Sequence, residues 1–194
     1  MKNIYFLFFF IIIFSGGCKT TKPLPKSHAE ADSKPAIASD AATMEVNFHD
    51  QSLWILGYFN PDLLTHYPYS TWYQKGFDDY QVKTESLNKL LDINKEDLSI
   101  KIVMGIWCPD SRREVPRFMR VLDSWKFPVA KVTFIGVDDE KKSPVGEYIN
   151  LGIQRVPTFI LYKNNIEAGR IIENPSTSLE QDIVNILTGM KTNK

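Results

Sequence analysis

The chain has 194 residues, and its 23 basic and 23 acidic residues cancel to a formal net charge of zero. Charged residues make up 24% of the chain and aromatic residues 12%, which is typical of a folded globular protein and not of a disordered one. This length suits one domain with appendages. The charge balance excludes the basic surface of a nucleic-acid-binding protein and a polybasic membrane patch.

The N-terminus has the organisation of a bacterial export signal. Lys2 precedes an uninterrupted apolar run at residues 4–14, and Ser15-Gly16-Gly17 then precede Cys18. The run is too short to span about 30 Å of hydrocarbon, but it suits the core of a signal peptide. The small residues before Cys18 resemble the lipobox of bacterial lipoproteins, in which that cysteine is lipidated. This resemblance implies a signal peptide at residues 1–17 and a lipid anchor on Cys18. An ordinary cleaved signal or an uncleaved anchor is the alternative.

Two segments of contrasting composition follow the signal. Residues 18–43 are rich in Lys, Pro, Ala, Ser and Asp, which predicts a flexible tether from the lipid to the domain. Residues 44–83 are dense in aromatic side chains, and we expect them to form an N-terminal extension that packs against the main domain. A ligand-binding aromatic groove is the alternative for this extension. The range 72–80 predicts a short helix.

Residues 84–194 have the regular pattern of one α/β domain. Thr84 is a candidate cap for a helix with apolar positions at Leu87, Leu90 and Leu91. The further predicted elements are a buried strand at 99–106, a helix at 109–125, a buried strand at 129–137, a short helix at 143–150, two strands at 158–163 and 167–173 joined at Asn164-Asn165, and a last helix opened by the capping box Ser178–Gln181 and ended by Gly189. This order predicts a central mixed sheet with helices on both faces.

Cys108 is the candidate reactive residue of the chain. The sequence contains two cysteines, and if Cys18 carries lipid, Cys108 has no partner within the chain. Disulfides are permitted in an exported compartment, so a lone thiol there is either reactive or pairs with another molecule. The three histidines lie near no cluster of cysteine, histidine or carboxylate residues, and we therefore expect neither a metal nor a cofactor.

Three local motifs in this order resemble the thioredoxin family over residues 84–189. The sequence Trp107-Cys108-Pro109-Asp110-Ser111 stands where the family has Trp-Cys-x-x-Cys, and Pro116 stands at the family's helix-kinking proline. The sequence Arg155-Val156-Pro157-Thr158 stands at the family's cis-proline loop. The resemblance implies a thioredoxin-like α/β fold with a central mixed four- to five-stranded sheet flanked by helices.

The same resemblance assigns roles to residues of both loops. It implies that the Val156–Pro157 peptide bond is cis, the one X-Pro bond for which we expect this isomer. It also implies that Val156, Pro157 and Thr158 offer a backbone edge to a substrate peptide beside Cys108. Trp107 would cover one side of the sulfur, with plain core packing as the alternative.

The position of Cys108 just before a helix favours its thiolate form. The unpaired N–H groups and the positive end of that helix stabilise negative charge, and Pro109 suits the first helical position, where no N–H is needed. Arg112 and Arg113 add positive potential, whereas the carboxylate of Asp110 opposes it. The thiolate, not the thiol, is the nucleophile in disulfide exchange.

Two departures from the family pattern limit the chemistry. Ser111 replaces the second cysteine; its hydroxyl cannot resolve a mixed disulfide, although it could donate a hydrogen bond to the Cys108 thiolate. Ile102 stands near the position at which the family has a buried acid, so this strand lacks that acid. The sequence therefore predicts a monothiol oxidoreductase that acts on an exported protein or a small-molecule disulfide and needs an external thiol. The alternatives are a redox-inactive binding module for an exported partner, and a peroxidase-like role through sulfenic acid. We expect the protein in the cell envelope, at the outer membrane facing the periplasm.

Overall fold

The structure is a computed structural model, and it describes residues 45–189 of the chain. The predicted signal peptide at 1–17, the predicted lipidation site Cys18 and the predicted tether at 18–43 lie outside the described residues. Within the described range, no helix combines the length and the apolar character needed to cross a membrane.

A five-stranded mixed sheet forms the centre of the domain, as the sequence predicts. Its strands are β1 (Gly57–Phe59), β2 (Leu98–Met104), β3 (Val132–Gly136), β4 (Thr158–Lys163) and β5 (Ile166–Ile172), in the spatial order β1-β3-β2-β4-β5. Only β2 and β3 are parallel, and all other neighbours pair antiparallel. The parallel pair is connected by a helix, because parallel strands require a long crossover.

The α-helices are α1 (Ser70–Asp79), α2 (Thr84–Leu91), α3 (Pro109–Trp125) and α4 (Leu179–Thr188). Short 3₁₀ helices lie at Gln51–Leu53, Pro61–Thr65, Val129–Lys131 and Gly146–Leu151. The sequence predicted a strand from residue 129, but this strand begins only at Val132, after a 3₁₀ turn that follows Pro128. The predicted helix at 109–125 is confirmed with the same ends.

The main hydrophobic core lies between one face of the sheet and the four α-helices. Alternate residues of β2, Ile100, Ile102 and Met104, point into it, as the two-residue period of a strand requires. Phe118 of α3 stacks on Phe159 of β4 with ring centroids 4.2 Å apart. All four α-helices contribute buried residues to this cluster, and those of α3 run from Val115 to Trp125.

The opposite face of the sheet carries a smaller cluster and no α-helix among the described residues. It contains Val103 and Ile135, covered by Tyr148, Leu151 and Ile153 of the segment between β3 and β4. The predicted helix at 143–150 is realised there as the 3₁₀ helix Gly146–Leu151. A proline and a glycine, at positions 144 and 146, leave too few good helix formers for an α-helix.

The N-terminal extension adds a strand that the sequence did not predict. β1 pairs antiparallel with β3, and Gly57 lies opposite Gly136. A Cβ on Gly136 would lie 1.9 Å from the carbonyl oxygen of Ile55, so only glycine allows the two backbones to approach here. Most aromatic side chains of the extension pack on the core, whereas Tyr58 and Tyr67 are exposed. Packing on the core is therefore the main role of the aromatic side chains of the extension, although Trp72 and Tyr80 also line a groove beside α3.

Several local predictions are confirmed and others are wrong in detail. Asn164 and Asn165 both have positive φ in the β4–β5 turn, and Gly189 ends α4 with φ of 73°. The side chain of Ser178 caps α4 by accepting the Gln181 N–H at 3.4 Å. Thr84, predicted as a cap, is the first helical residue of α2, and Leu91, predicted on its apolar face, is 47% exposed because α2 ends there.

Candidate functional site

The first turn of α3 begins directly after Cys108. Cys108 is the N-cap residue, with extended backbone at φ −78° and ψ 120°, and Pro109 occupies the first helical position as predicted. No side chain caps this helix end within the described residues. The free N–H groups of the first turn therefore point towards the N-terminal end of α3, where Cys108 lies.

The side chain of Cys108 is buried against the smaller cluster of the sheet. It is 7% exposed and packs with Val103, Ile135 and Val137. Its Sγ donates a hydrogen bond to the carbonyl oxygen of Val156 at 3.2 Å. The sulfur and the loop before β4 are thus in direct contact, 48 residues apart in the chain.

The Val156–Pro157 peptide bond is cis, as predicted. The loop is held from both sides: the Thr158 hydroxyl donates to the Arg155 carbonyl at 2.6 Å, and the Glu173 N–H donates to the Pro157 carbonyl at 2.7 Å. The Val156 N–H makes no hydrogen bond to another described backbone group. The Val156 carbonyl thus accepts from the sulfur, while its N–H is left without a backbone partner in a loop whose residues 156–158 are buried.

A second cis proline shows that the expectation of a single one was wrong. The Tyr67–Pro68 bond is also cis, in the turn that leads into α1. Tight turns are the usual place for this isomer.

Trp107 is fixed beside Cys108 by a hydrogen bond and a cation. Its indole N–H donates to the Val137 carbonyl at 3.1 Å, and the Lys141 ammonium lies 5.9 Å from the ring centroid. The ring packs against the same cluster as Cys108 and stays partly exposed. Trp107 thus combines a packing role with a surface next to the sulfur.

Ser111 lies one turn into α3 and is fully buried. Its hydroxyl oxygen accepts the Gly105 N–H at 3.3 Å, and no hydrogen bond joins it to Cys108. The hydrogen bond to the sulfur that the sequence suggested is not formed in this structure. The contact to Gly105 uses the Ser111 oxygen only as an acceptor and leaves its hydroxyl proton free to donate.

Arg112 holds the loop that carries Cys108. Its Nη1 donates to the carbonyls of Ile106 at 2.7 Å and Trp107 at 3.0 Å, and its guanidinium lies 4.9 Å from the ring centroid of Phe48. Burial lowers the pKa of Arg112, while electrostatic attraction to Cys108 acts in the opposite direction. The Arg112 guanidinium therefore carries its positive charge close to Cys108.

Asp110, expected to oppose the thiolate, is paired. Its carboxylate lies 2.6 Å from the Arg113 guanidinium, which also donates to the buried Glu114 at 2.7 Å. Arg117 contacts the same Glu114 carboxylate at 2.9 Å. This ion-pair chain was missed from the sequence, although the three-residue spacing of Asp110 to Arg113 and of Glu114 to Arg117 is typical of helix ion pairs.

No acid lies at the position of Ile102, which is fully buried in the main core. The buried carboxylates of Glu114, Glu180 and Asp182 are each bound by other side chains or backbone N–H groups. Among the described residues, no three histidine, cysteine or acidic side chains come together as metal ligands.

No protein-family model matches the sequence, and no curated protein matches it. A crystal structure of a protein of unknown function from Pseudomonas aeruginosa is similar at 13% identity and a TM-score of 0.44, over 63% of this chain and 82% of that chain. An HIV epitope-scaffold is similar at 13% identity and a TM-score of 0.44, over 62% of this chain and 82% of its own.

Proposed function

We propose that this chain is a thioredoxin-like monothiol oxidoreductase that exchanges thiols and disulfides on exported proteins or small molecules through Cys108. One observation carries the proposal: the Cys108 Sγ lies at the N-terminal end of α3 and 3.2 Å from the carbonyl of Val156, beside a cis proline. This arrangement brings together a cysteine sulfur, a helix end that favours negative charge and the Val156 loop, whose N–H has no backbone partner among the described residues and could bind a peptide.

The proposed exchange has two steps. The Cys108 thiolate attacks one sulfur of a disulfide R–S–S–R′; a Cys108–S–S–R bond forms, the original bond breaks, and R′S⁻ leaves with the electron pair and takes a proton from solvent. The thiolate of an external thiol R″SH then attacks the mixed disulfide, which returns Cys108 as thiolate and forms R–S–S–R″. The number of disulfides is unchanged, and net reduction requires a second thiol.

The neighbours of Cys108 support these steps without entering them. In the resting state the thiol donates to the Val156 carbonyl, so this bond must break when Cys108 loses its proton. The positive charge of Arg112 and the free N–H groups of α3 then stabilise the thiolate. Because Ser111 is fully buried and has no thiol, release of the adduct depends on the external thiol.

Burial of the sulfur favours a second candidate function, a redox-inactive binding module. Cys108 is only 7% exposed and packs among aliphatic side chains, as inert structural cysteines do. In that case the Val156–Pro157 loop would bind an exported partner, and Cys108 would serve as a packing residue. The two candidates differ in whether an adduct forms on the sulfur.

The proposed location rests on the sequence N-terminal to the described residues. The signal-like run at 4–14 and the lipobox-like residues before Cys18 support an exported lipoprotein of the bacterial envelope. We place the lipid in the outer membrane, with the domain facing the periplasm. Labelling with radioactive palmitate, lost in Cys18→Ala, tests the lipid.

Trapping of partners on Cys108 tests the proposed chemistry. Cells carrying the wild type, Cys108→Ala or Ser111→Ala are quenched with acid and alkylated, and their proteins are separated on non-reducing gels. We expect thiol-sensitive adducts in the wild type and in Ser111→Ala, and none in Cys108→Ala, because adducts require only the first cysteine. If no variant forms adducts and Cys108 reacts with iodoacetamide only after unfolding, the oxidoreductase proposal is wrong and the binding module stands.

A further inference from the structure

A groove of about 540 Å³ runs between α1 and α3 and shares Arg112 with the site. Four basic side chains and one acidic side chain line it: Lys75, Arg112, Arg113, Arg117 and Asp79. Gly76 also lines the groove, and a Cβ there would lie 2.6 Å from the Cγ of Pro116. The two helices therefore touch at this crossing, and their longer side chains form the groove around it.

The charges of this groove are only partly balanced. Lys75 pairs with Asp79, Arg113 contacts Asp110 and Glu114, and Arg117 contacts Glu114. Arg112 contacts no carboxylate among residues 45–189, and its Nε and Nη2 make no hydrogen bonds within this range. An arginine with two free donors is suited to bidentate binding of a carboxylate.

Trp72 lines the same groove and carries a second unsatisfied donor. Its indole Nε1 is buried and has no hydrogen-bond partner among the described residues, which is costly and rare in folded proteins. The atom has almost no accessible surface, so a ligand oxygen in the groove would satisfy it only after the ring turns towards the groove.

We propose that this groove binds an acidic segment of the polypeptide whose disulfide is presented to Cys108. The proposal rests on the proposed function and names its substrate class. The groove continues from Arg112, in the first turn after Cys108, to Arg117, which is about 7–8 Å along the helix. This length accommodates more than one acidic residue, whereas a single phosphate would reach only one end. The acidic residues of the bound polypeptide would lie between α1 and α3, next to Cys108.

Binding of a cysteine-free peptide tests the groove apart from the chemistry. The probe is a fluorescent hexaglutamate peptide, and its anisotropy is followed on addition of the full chain. We expect Arg117→Gln to weaken binding by roughly five- to tenfold, because the peptide loses a charge-assisted hydrogen bond to the guanidinium. In this variant Glu114 still pairs with Arg113. Trp72→Phe, which keeps a large ring and removes the indole N–H, should weaken it by roughly fivefold. Lys163→Gln is the matched control, since it removes the same charge from an exposed strand end and should change binding by less than about twofold.

Three outcomes would overturn the proposal. One is equal binding of a hexaglutamine peptide. Another is inorganic phosphate that binds as tightly as the peptide and loses affinity in the same variants. The third is binding to vesicles of phosphatidylglycerol, lost in Arg117→Gln, without any binding of the peptide. Cys108→Ala should bind the hexaglutamate peptide as tightly as the wild type does. Peptide binding therefore tests the groove independently of the thiol–disulfide exchange at Cys108.

Discussion

Replacing Tyr80 by phenylalanine removes one hydroxyl from the junction between α1 and α4 and leaves the ring in place. The hydroxyl donates to the Glu180 carboxylate at 2.8 Å, and the second oxygen of that carboxylate accepts the Lys83 N–H at 2.8 Å. Glu180 is fully buried at the start of α4. The substitution therefore leaves a buried carboxylate with one donor fewer.

The expected loss follows from the charge and the burial of Glu180. A hydrogen bond to a charged group contributes about 1.5–3 kcal/mol, and the remaining Lys83 donor keeps the loss near the middle of this range. We expect the free energy of unfolding to fall by about 2 kcal/mol. For a domain of this size, that loss lowers Tm by roughly 4–8 °C.

The same variant has a pH signature. Burial, and then the hydrogen bond to Glu180, raise the pKa of Tyr80 above its ordinary value of 10.0. The folded state holds the phenolic proton more tightly than the unfolded chain, so this stabilisation is complete below pH 10 and is lost as the pH rises beyond it. As the pH rises above about 10, Tyr80→Phe should therefore lose less stability than the wild type does.

Urea unfolding followed by tryptophan fluorescence measures both effects. Tyr58→Phe is the matched control, because the Tyr58 hydroxyl donates to the exposed carboxylate of Glu147 and its loss should cost at most about 0.5 kcal/mol. The reasoning is refuted if Tyr80→Phe and Tyr58→Phe have equal stability at pH 7. It is also refuted if Tyr80→Phe keeps the wild-type pH profile.

Three further predictions address the thiol site, the sheet edge and alkaline stability. Ser111→Cys should gain insulin-reducing activity with an added dithiol, measured by turbidity, since a second thiol would then stand one turn after Cys108; no gain would argue against a redox-competent geometry. Gly136→Ala should lower Tm by more than about 5 °C, because its Cβ would lie 1.9 Å from the Ile55 carbonyl and displace β1. Gly146→Ala meets no atom within 4 Å and should leave Tm almost unchanged; equal Tm values for the two variants would contradict the pairing of β1. Burial raises the pKa of Tyr73 to about 12, so Tyr73→Phe should reduce the fall in stability as the pH rises from 10 to 12, as followed by urea unfolding at each pH.

Elements with a strong local pattern could be predicted from the sequence. The ends of α3 follow from Pro109 at its first position and from apolar residues at helical spacing, which bury one face. The β4–β5 turn follows from Asn164 and Asn165, which tolerate positive φ. In these cases the decisive interactions lie within a few residues of the chain.

Elements that depend on distant partners could not be predicted. β1 has three residues and no alternating pattern of its own, and it exists because Gly136 of β3 allows a close backbone approach. Leu91 has the spacing of a core residue, yet α2 ends there and leaves it exposed. The residues next to β1 do not show which strand it pairs with, and the residues next to Leu91 do not show where the core ends.

By itself, the amino-acid sequence determined that a lone thiol would precede a helix and that a proline loop would precede a strand, because both are features of adjacent residues. Only the tertiary structure decided that the Cys108 sulfur donates to the Val156 carbonyl, that Ser111 is turned to Gly105 instead, and that α1 and α3 enclose a groove lined by basic side chains. These contacts join residues brought together by the packing of separate elements on one sheet. Their distances are set by the whole core and not by any local stretch of the chain.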